Sequence, residues 1–103
     1  MSELLKINTL DELMKAIDEN DRVLVEFGAD WCGPCRSFLP HFTDFAEKHA
    51  EITCVKVDVD VDPEVVSTFK IMTVPQVKLF ENGEFKADVK GRTILQLERE
   101  LAS

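Results

Sequence analysis

One segment of this sequence constrains the fold more than any other. Residues 21–27 read DRVLVEF, and the apolar residues of this run occupy successive positions instead of alternate ones. A strand that is apolar on both faces is typical of the centre of a sheet whose two faces are covered. The run therefore predicts a buried central strand with helices on both sides of its sheet. Glu26 is the exception, because a carboxylate inside such a strand is costly unless it is paired or protonated.

Strands and helices alternate around this segment. Short apolar runs predict the other strands over residues 4–7, 52–59, 76–80 and 84–89. Apolar residues at helical spacing, with capping residues before them, predict helices that begin after Thr9, near Cys32, after Asp62 and after Thr93. Asn82-Gly83 favours positive φ at both positions, as a tight hairpin requires. The order β-α-β-α-β-α-β-β-α predicts an α/β fold: a mixed five-stranded sheet with two parallel βα units, a C-terminal antiparallel hairpin and four flanking helices.

Length and charge narrow the class of protein. The 103 residues fit a single domain over 1–103. A net charge of −8 argues against a nucleic-acid partner, because phosphate binding needs a basic surface, and it suits a soluble monomer. No apolar run reaches the roughly 20 residues of a membrane span, and the N-terminus lacks the pattern of a secretory signal. We therefore expect a cytoplasmic protein without a membrane partner.

The three cysteines are Cys32, Cys35 and Cys54. An odd, small number is unlike a disulfide-stapled secreted fold, and a close pair in a reducing compartment is typically catalytic or metal-binding. Residues three apart on a helix lie on one face, about 5–6 Å apart, which suits a disulfide. At the start of the helix, Cys32 meets free N–H groups and the helix dipole, so its pKa is predicted to be lowered. Cys35 lies one turn deeper and is expected to be more buried and less acidic.

The residues between the two cysteines fit thiol–disulfide exchange. Pro34 holds a helical φ and offers no N–H, which stiffens the ring, and Gly33 lets a substrate backbone approach closely. In this chemistry Cys32 attacks a disulfide and Cys35 resolves the mixed disulfide that results.

Zinc binding is the alternative for a C-x-x-C pair. A structural zinc site needs about four ligands, usually from two close pairs. The remaining candidates are Cys54, His41 and His49, and they include no second pair. We therefore predict no metal. A buried free cysteine is usually a small core residue, which is the interpretation preferred for Cys54 over a regulatory thiol.

Glu26 has two interpretations that are compatible. Burial is expected to raise its pKa, and a carboxylate beneath Cys35 could accept the proton of that thiol as it attacks. Alternatively, Glu26 pairs with Lys56, which lies in the apolar strand that follows. Buried ionisable groups cluster at working sites, which favours the proton-transfer role with Lys56 as its modulator.

Taken together, these residues resemble the thioredoxin family. The run WCGPC over residues 31–35 matches the family's active-site motif, and the similarity extends to Phe27, Pro40, KVDVD, TVPQ, NGE and Gly91. The resemblance implies a thioredoxin fold, a protein-disulfide reductase activity in cellular redox homeostasis, and no bound cofactor. It also implies recharging by thioredoxin reductase, a flavoprotein that holds FAD and draws electrons from NADPH. Peroxiredoxin, ribonucleotide reductase and methionine sulfoxide reductase are the substrates that it suggests.

The resemblance also assigns a substrate surface. It implies that the bond before Pro75 is cis, and that the backbone of Val74 pairs with an extended substrate strand. It implies a shallow apolar docking surface lined by Trp31, Gly33, Pro34, Val74 and Gly91.

Two residues depart from the family's pattern. The family most often carries Asp where this chain has Glu26, and many relatives have a larger side chain at Gly28.

Two other functions remain as alternatives. A disulfide oxidase or isomerase would need a more oxidising pair, usually with a histidine between the cysteines, where this chain has Pro34. A non-catalytic docking module of the same fold would not need both thiols, and this chain has both.

Overall fold

A five-stranded mixed sheet organises the protein, and the computed structural model describes it over residues 3–101. The strands are β1 (Leu5–Ile7), β2 (Arg22–Gly28), β3 (Thr53–Asp58), β4 (Gln76–Glu81) and β5 (Glu84–Val89). The helices are α1 (Leu10–Glu19), α2 (Gly33–Lys48), α3 (Pro63–Phe69) and α4 (Ile94–Leu101). Their order along the chain is the predicted one.

The strands lie in the order β1-β3-β2-β4-β5. β3 pairs in parallel with both β1 and β2, whereas β4 runs antiparallel to β2 and to β5. Asn82 and Gly83 turn the chain between β4 and β5 with φ of 52° and 83°, which confirms the predicted hairpin. β2 therefore lies at the centre of the sheet, as its apolar run predicted.

Each face of the sheet carries its own hydrophobic core. α2 and α4 cover one face, where their side chains pack on Leu24, Cys54, Val77 and Leu79. α1 and α3 cover the other face and pack on Val23, Val25, Phe27, Val55 and Val57. Because side chains alternate along a strand, the even-numbered residues of β2 face α2. Glu26 is one of these residues.

The predicted capping residues hold the helix starts. Thr9 and Thr93 each accept a hydrogen bond from the backbone N–H three residues on, at 3.1 and 3.2 Å. The Asp62 carboxylate serves two helices, since it accepts from the backbone N–H of Glu64 at 3.0 Å and from that of Leu10 at 2.9 Å. These bonds satisfy N–H groups that a helix start leaves without partners.

The two histidines have structural contacts. His41 Nδ1 accepts from the backbone N–H of Ile94 at the start of α4. His49 caps the C-terminus of α2, and its ring lies between the carboxylates of Glu98, at 2.7 Å, and Glu51, at 3.2 Å. The hydrogen bond with Glu98 raises the pKa of His49, partial burial opposes the rise, and Glu51 adds to it.

We expect His49→Gln to flatten the pH dependence of stability. Because the folded pKa of His49 is raised, its contribution is fully present below the ordinary histidine value of about 6.5 and is lost as pH rises through the folded pKa. The loss is at most about 1 kcal/mol, since the ring is partly exposed. Urea unfolding on both sides of this range measures it, with His41→Gln as the control. A His49→Gln variant that keeps the parent's pH dependence would contradict the assignment.

Candidate active site

The cysteine pair lies where β2 delivers the chain to α2. Cys32 is the N-cap of α2, with extended backbone at φ −86° and ψ 113°, and Gly33 and Pro34 begin the helix. Cys32 Sγ accepts a hydrogen bond from the backbone N–H of Cys35 at 3.2 Å. The sulfur thus takes the position at which a helix start presents free N–H groups to an anion.

Cys32 and Cys35 form a disulfide with their Cα atoms 5.2 Å apart, which confirms the predicted spacing. Both residues are 4% exposed and lie against Ala29, Val59 and Val74. The expectation that Cys35 is the more buried of the two is wrong for this oxidised form. Each bonded sulfur covers the other, so the two become equally shielded.

Glu26 lies beneath this disulfide. It is 2% exposed, and its Oε2 has no hydrogen-bond partner within the described residues. A Cβ atom added to Gly28 would lie 2.5 Å from Glu26 Oε2 and 3.2 Å from Cys35 Sγ. The carboxyl oxygen and the sulfur therefore border the same small space.

Two effects oppose each other at Glu26. Burial raises the pKa of this carboxyl, while the charges of Lys56 and Arg92 lower it, and burial prevails. Lys56 is the register partner of Glu26 on β3. A direct pairing would place the Lys56 ammonium within hydrogen-bond distance of the Glu26 carboxyl, whereas a modulator acts through its charge from further away. The Glu26 Oε2 atom has no hydrogen-bond partner within the described residues, which fits the second interpretation.

Arg92 is a site residue that the sequence reasoning missed. Its guanidinium donates to two backbone carbonyls just before it in the chain, at 2.8 and 2.9 Å, and to the carbonyl of Pro75 at 3.4 Å. It also lies over the ring of Phe38, 5.6 Å from the centroid. Burial lowers the pKa of Arg92, whereas Glu100 and Glu26 raise it. No local pattern marks a single arginine in a loop as a neighbour of Glu26.

Two shallow cavities flank the disulfide. One, of about 530 Å³, is bordered by Pro34, Pro75 and Arg92. The other, of about 170 Å³, is bordered by Trp31 and Val74. The bond between Val74 and Pro75 is cis, which confirms that expectation. The Trp31 ring is 67% exposed, and its Nε1 donates to Asp60 at 2.7 Å.

Gly91 does not line either of these cavities. It is buried, and an added Cβ would lie 2.9 Å from the backbone carbon of Gln96. The cavity that it borders is a different one, beside Glu100 and Arg99. The close approach of α4 explains the glycine, because no side chain fits there.

Comparison with known proteins agrees with this geometry. The sequence model described as Thioredoxin matches residues 4–103. The chain belongs to the thioredoxin family. It is 47% identical over 70 residues to a thioredoxin of Alicyclobacillus acidocaldarius, which covers 67% of each chain.

A plant relative and a solved structure extend the comparison. The chain is 42% identical over 94 residues to the chloroplastic M-type thioredoxin of Zea mays, covering 82% of this chain and 56% of the maize protein. It thus spans little more than half of that relative. The oxidised mitochondrial thioredoxin 3 of Saccharomyces cerevisiae superposes with a TM-score of 0.83 at 29% identity, covering 93% of this chain and 91% of the yeast chain. The five-stranded sheet with four helices is the thioredoxin fold of this family.

Cys54 lies outside the site, in the core beneath α2. It is fully buried, and burial raises the pKa of its thiol to about 12, with a further rise from Glu51. This confirms the interpretation of Cys54 as a core residue.

The part of the chain over residues 3–101 contains no cluster of three or more His, Cys, Asp or Glu side chains arranged to hold a metal ion. None of its helices combines the length and apolar character needed to cross a membrane.

We expect Glu26→Gln to gain stability relative to the parent as pH rises. The pKa of Glu26 is raised in the folded state, so folding favours the protonated carboxyl. The contribution of Glu26 to the parent's free energy of unfolding is therefore complete below the ordinary pKa of a glutamate and is lost as pH rises through the folded value. The neutral amide does not ionise, so the gap between variant and parent widens in its favour. Denaturant unfolding of the oxidised proteins measures it. Glu47→Gln, on the exposed side of α2, is the control and should stay within about 0.5 kcal/mol. A gap that does not change with pH would refute the burial argument.

Proposed function

We propose that this chain is a protein-disulfide reductase that works by dithiol–disulfide exchange. One observation carries the proposal: Cys32 and Cys35 are joined at the first turn of α2, with Cys32 at the helix N-cap. Such a pair stores two electrons when reduced and gives them up when the disulfide forms.

The first step is attack by Cys32. Its thiolate is favoured by the helix N-terminus, where Cys32 Sγ already accepts the N–H of Cys35. The sulfur attacks one sulfur of a substrate disulfide, the substrate S–S bond breaks, and the other substrate sulfur leaves as a thiolate. The product of this step is a mixed disulfide between Cys32 and the substrate.

The second step is resolution by Cys35. Its thiol gives its proton to Glu26, and its sulfur then attacks Cys32 Sγ. The Cys32–Cys35 bond forms while the bond to the substrate breaks, so the substrate leaves reduced. A carboxylate whose pKa is raised by burial accepts a proton more readily than an ordinary one, and Lys56 and Arg92 moderate its basicity.

Substrate docking uses the rim around the disulfide. Trp31 is exposed and borders one cavity together with Val74, and Pro34 and Pro75 border the other. The backbone of Val74 pairs with an extended substrate segment, and Gly33 and Pro34 leave room for its approach.

The remaining partners follow from the family. Oxidised protein is recharged by thioredoxin reductase, whose FAD and NADPH supply the electrons, and this chain binds neither cofactor. Peroxiredoxin, ribonucleotide reductase and methionine sulfoxide reductase are the proposed substrates.

We further propose that residues 1–103 act as one monomeric domain in a reducing compartment, the cytoplasm. One sheet with a core on each face supports a single domain. Electron transport to protein disulfides also requires surroundings in which the pair returns to the dithiol. The maize and yeast relatives carry chloroplastic and mitochondrial names, so fractionation of the native host is the test of location.

Serine variants test the two cysteine roles. Cys32→Ser should abolish reduction of insulin disulfides, because it removes the attacking sulfur. Cys35→Ser should stall with the substrate bound covalently to Cys32, which mass spectrometry detects. Cys54→Ser is the control and should retain the parent's rate. Unchanged turnover in both active-site variants would leave only a docking module.

Equilibration of the parent with glutathione separates a reductase from an oxidase: a pair that stays reduced in oxidising glutathione mixtures would overturn the proposal.

Glu26→Gln should slow resolution more than attack. The amide cannot take the Cys35 proton, and loss of a general base costs roughly a hundredfold or more. Acid-quenched reactions with oxidised glutathione separate the two steps. The rate of attack depends on the concentration of oxidised glutathione, whereas the rate of resolution does not. Equal slowing of both steps would argue that Glu26 acts on the whole loop instead of on Cys35.

A further inference from the structure

Gly28 faces the same side of β2 as Glu26, two residues on. The space that a side chain would fill there is already occupied. An added Cβ would lie 2.5 Å from Oε2 and 3.2 Å from Cδ of Glu26, and 3.2 Å from Cys35 Sγ. Real Cβ atoms essentially never approach a neighbour as closely as the first of these distances, so a methyl group at 28 would displace the carboxyl.

The carboxyl has little other room. Glu26 is 2% exposed, and its register partners are Lys56 on β3 and Val77 on β4. The surrounding core is close-packed, as protein interiors are. A displaced carboxyl would therefore take a different position relative to Cys35 before it could reach solvent.

The other glycines do not share this property. An added Cβ on Gly33 finds nothing nearer than 4.0 Å, and on Gly83 nothing nearer than 3.6 Å. On Gly91 it meets the backbone and Cβ of Gln96, which is a matter of helix packing. Of the four glycines, Gly28 is the one whose missing side chain leaves a space that the Glu26 carboxyl fills.

We propose that Gly28 is a positioning residue that holds open the space in which the Glu26 carboxyl meets Cys35. Residues 26 and 28 then form a size-matched pair: the longer acid reaches forward over position 28 because that position has no side chain. This inference rests on the proposed proton transfer, since the orphaned Oε2 borders the same space as the sulfur whose proton it would accept.

The pair acts in the resolution step alone. The Cys35 proton passes to Glu26 Oε2, the Cys35 sulfur bonds to Cys32, and the substrate sulfur leaves with the electrons of the broken bond. Attack by Cys32 does not use the space at Gly28.

A double-mutant cycle tests the proposal. The four proteins are the parent, Gly28→Ala, Glu26→Asp and the double variant. Resolution is followed by acid quenching and mass spectrometry after reduced protein is mixed with enough oxidised glutathione for this step to limit. We expect Gly28→Ala to slow resolution about tenfold, less than complete loss of a general base, and to leave the attack rate unchanged. On the Glu26→Asp background, where the acid is one methylene shorter, the same change should cost about twofold or less.

Two further measurements distinguish positioning from general damage. The pH at which resolution reaches half its maximum should move in Gly28→Ala and return when Asp replaces Glu26. The melting temperature should fall by at least about 4 °C in Gly28→Ala and recover in the double variant. Gly91→Ala is the matched control: it should lower the melting temperature equally with Glu or Asp at 26, because its contacts are with Gln96 and Leu97.

Each outcome supports or contradicts the size match between residues 26 and 28. Equal effects of Gly28→Ala on both backgrounds, including failure of both to fold, would overturn the size match. Coupling in melting temperature without coupling in resolution would show that the carboxyl packs at Gly28 but does not act from there. If the parent itself forms no mixed disulfide, the proposed function fails, whereas the melting temperatures still decide whether residues 26 and 28 are matched in size.

Discussion

The burial of β2 between two helical layers is the constraint on which the other features depend. Because both of its faces are covered, its side chains are almost wholly excluded from water. The strand carries the chain to the start of α2, so the helix N-terminus and its cysteines lie directly above the strand's last residues. Glu26 is held in that same shielded region. Burial therefore both places the carboxyl near Cys35 and raises its pKa, from a single cause.

Most of the fold could be predicted because its signals are local. The alternation of strands and helices, the capping residues Thr9, Asp62 and Thr93, and the Asn-Gly hairpin each depend on neighbours in the sequence, and each is found in the structure. Strand ends differ by one residue, as for the strand expected over residues 52–59, which spans Thr53–Asp58 in the structure. Such ends are set by where tertiary contacts stop, which a local pattern does not record.

The site was predictable where the chemistry lies in one short segment. Cys32, Cys35 and the odd carboxylate at 26 stand out because their residue types are unusual at their positions. Arg92 did not stand out, because its place depends on the loop between β5 and α4 folding back across the sheet. The close contact of Gly91 with α4 was not predicted for a related reason, since only the packing of that helix shows that the glycine lies beneath it. In both cases, a local sequence pattern does not record which distant residues lie close together in the fold.

Glu26 and Gly28 show how this chain accommodates a destabilising group. Ionisation of a buried, orphaned carboxyl weakens the folded state, and a side chain at 28 would add a steric cost to that electrostatic one. With glycine at 28, only the electrostatic cost remains, and that cost is inseparable from the raised pKa that suits the acid to proton transfer. A shorter acid at 26 would leave room for a side chain at 28 but would withdraw from Cys35. The two positions therefore constrain each other, so neither is interpreted correctly alone.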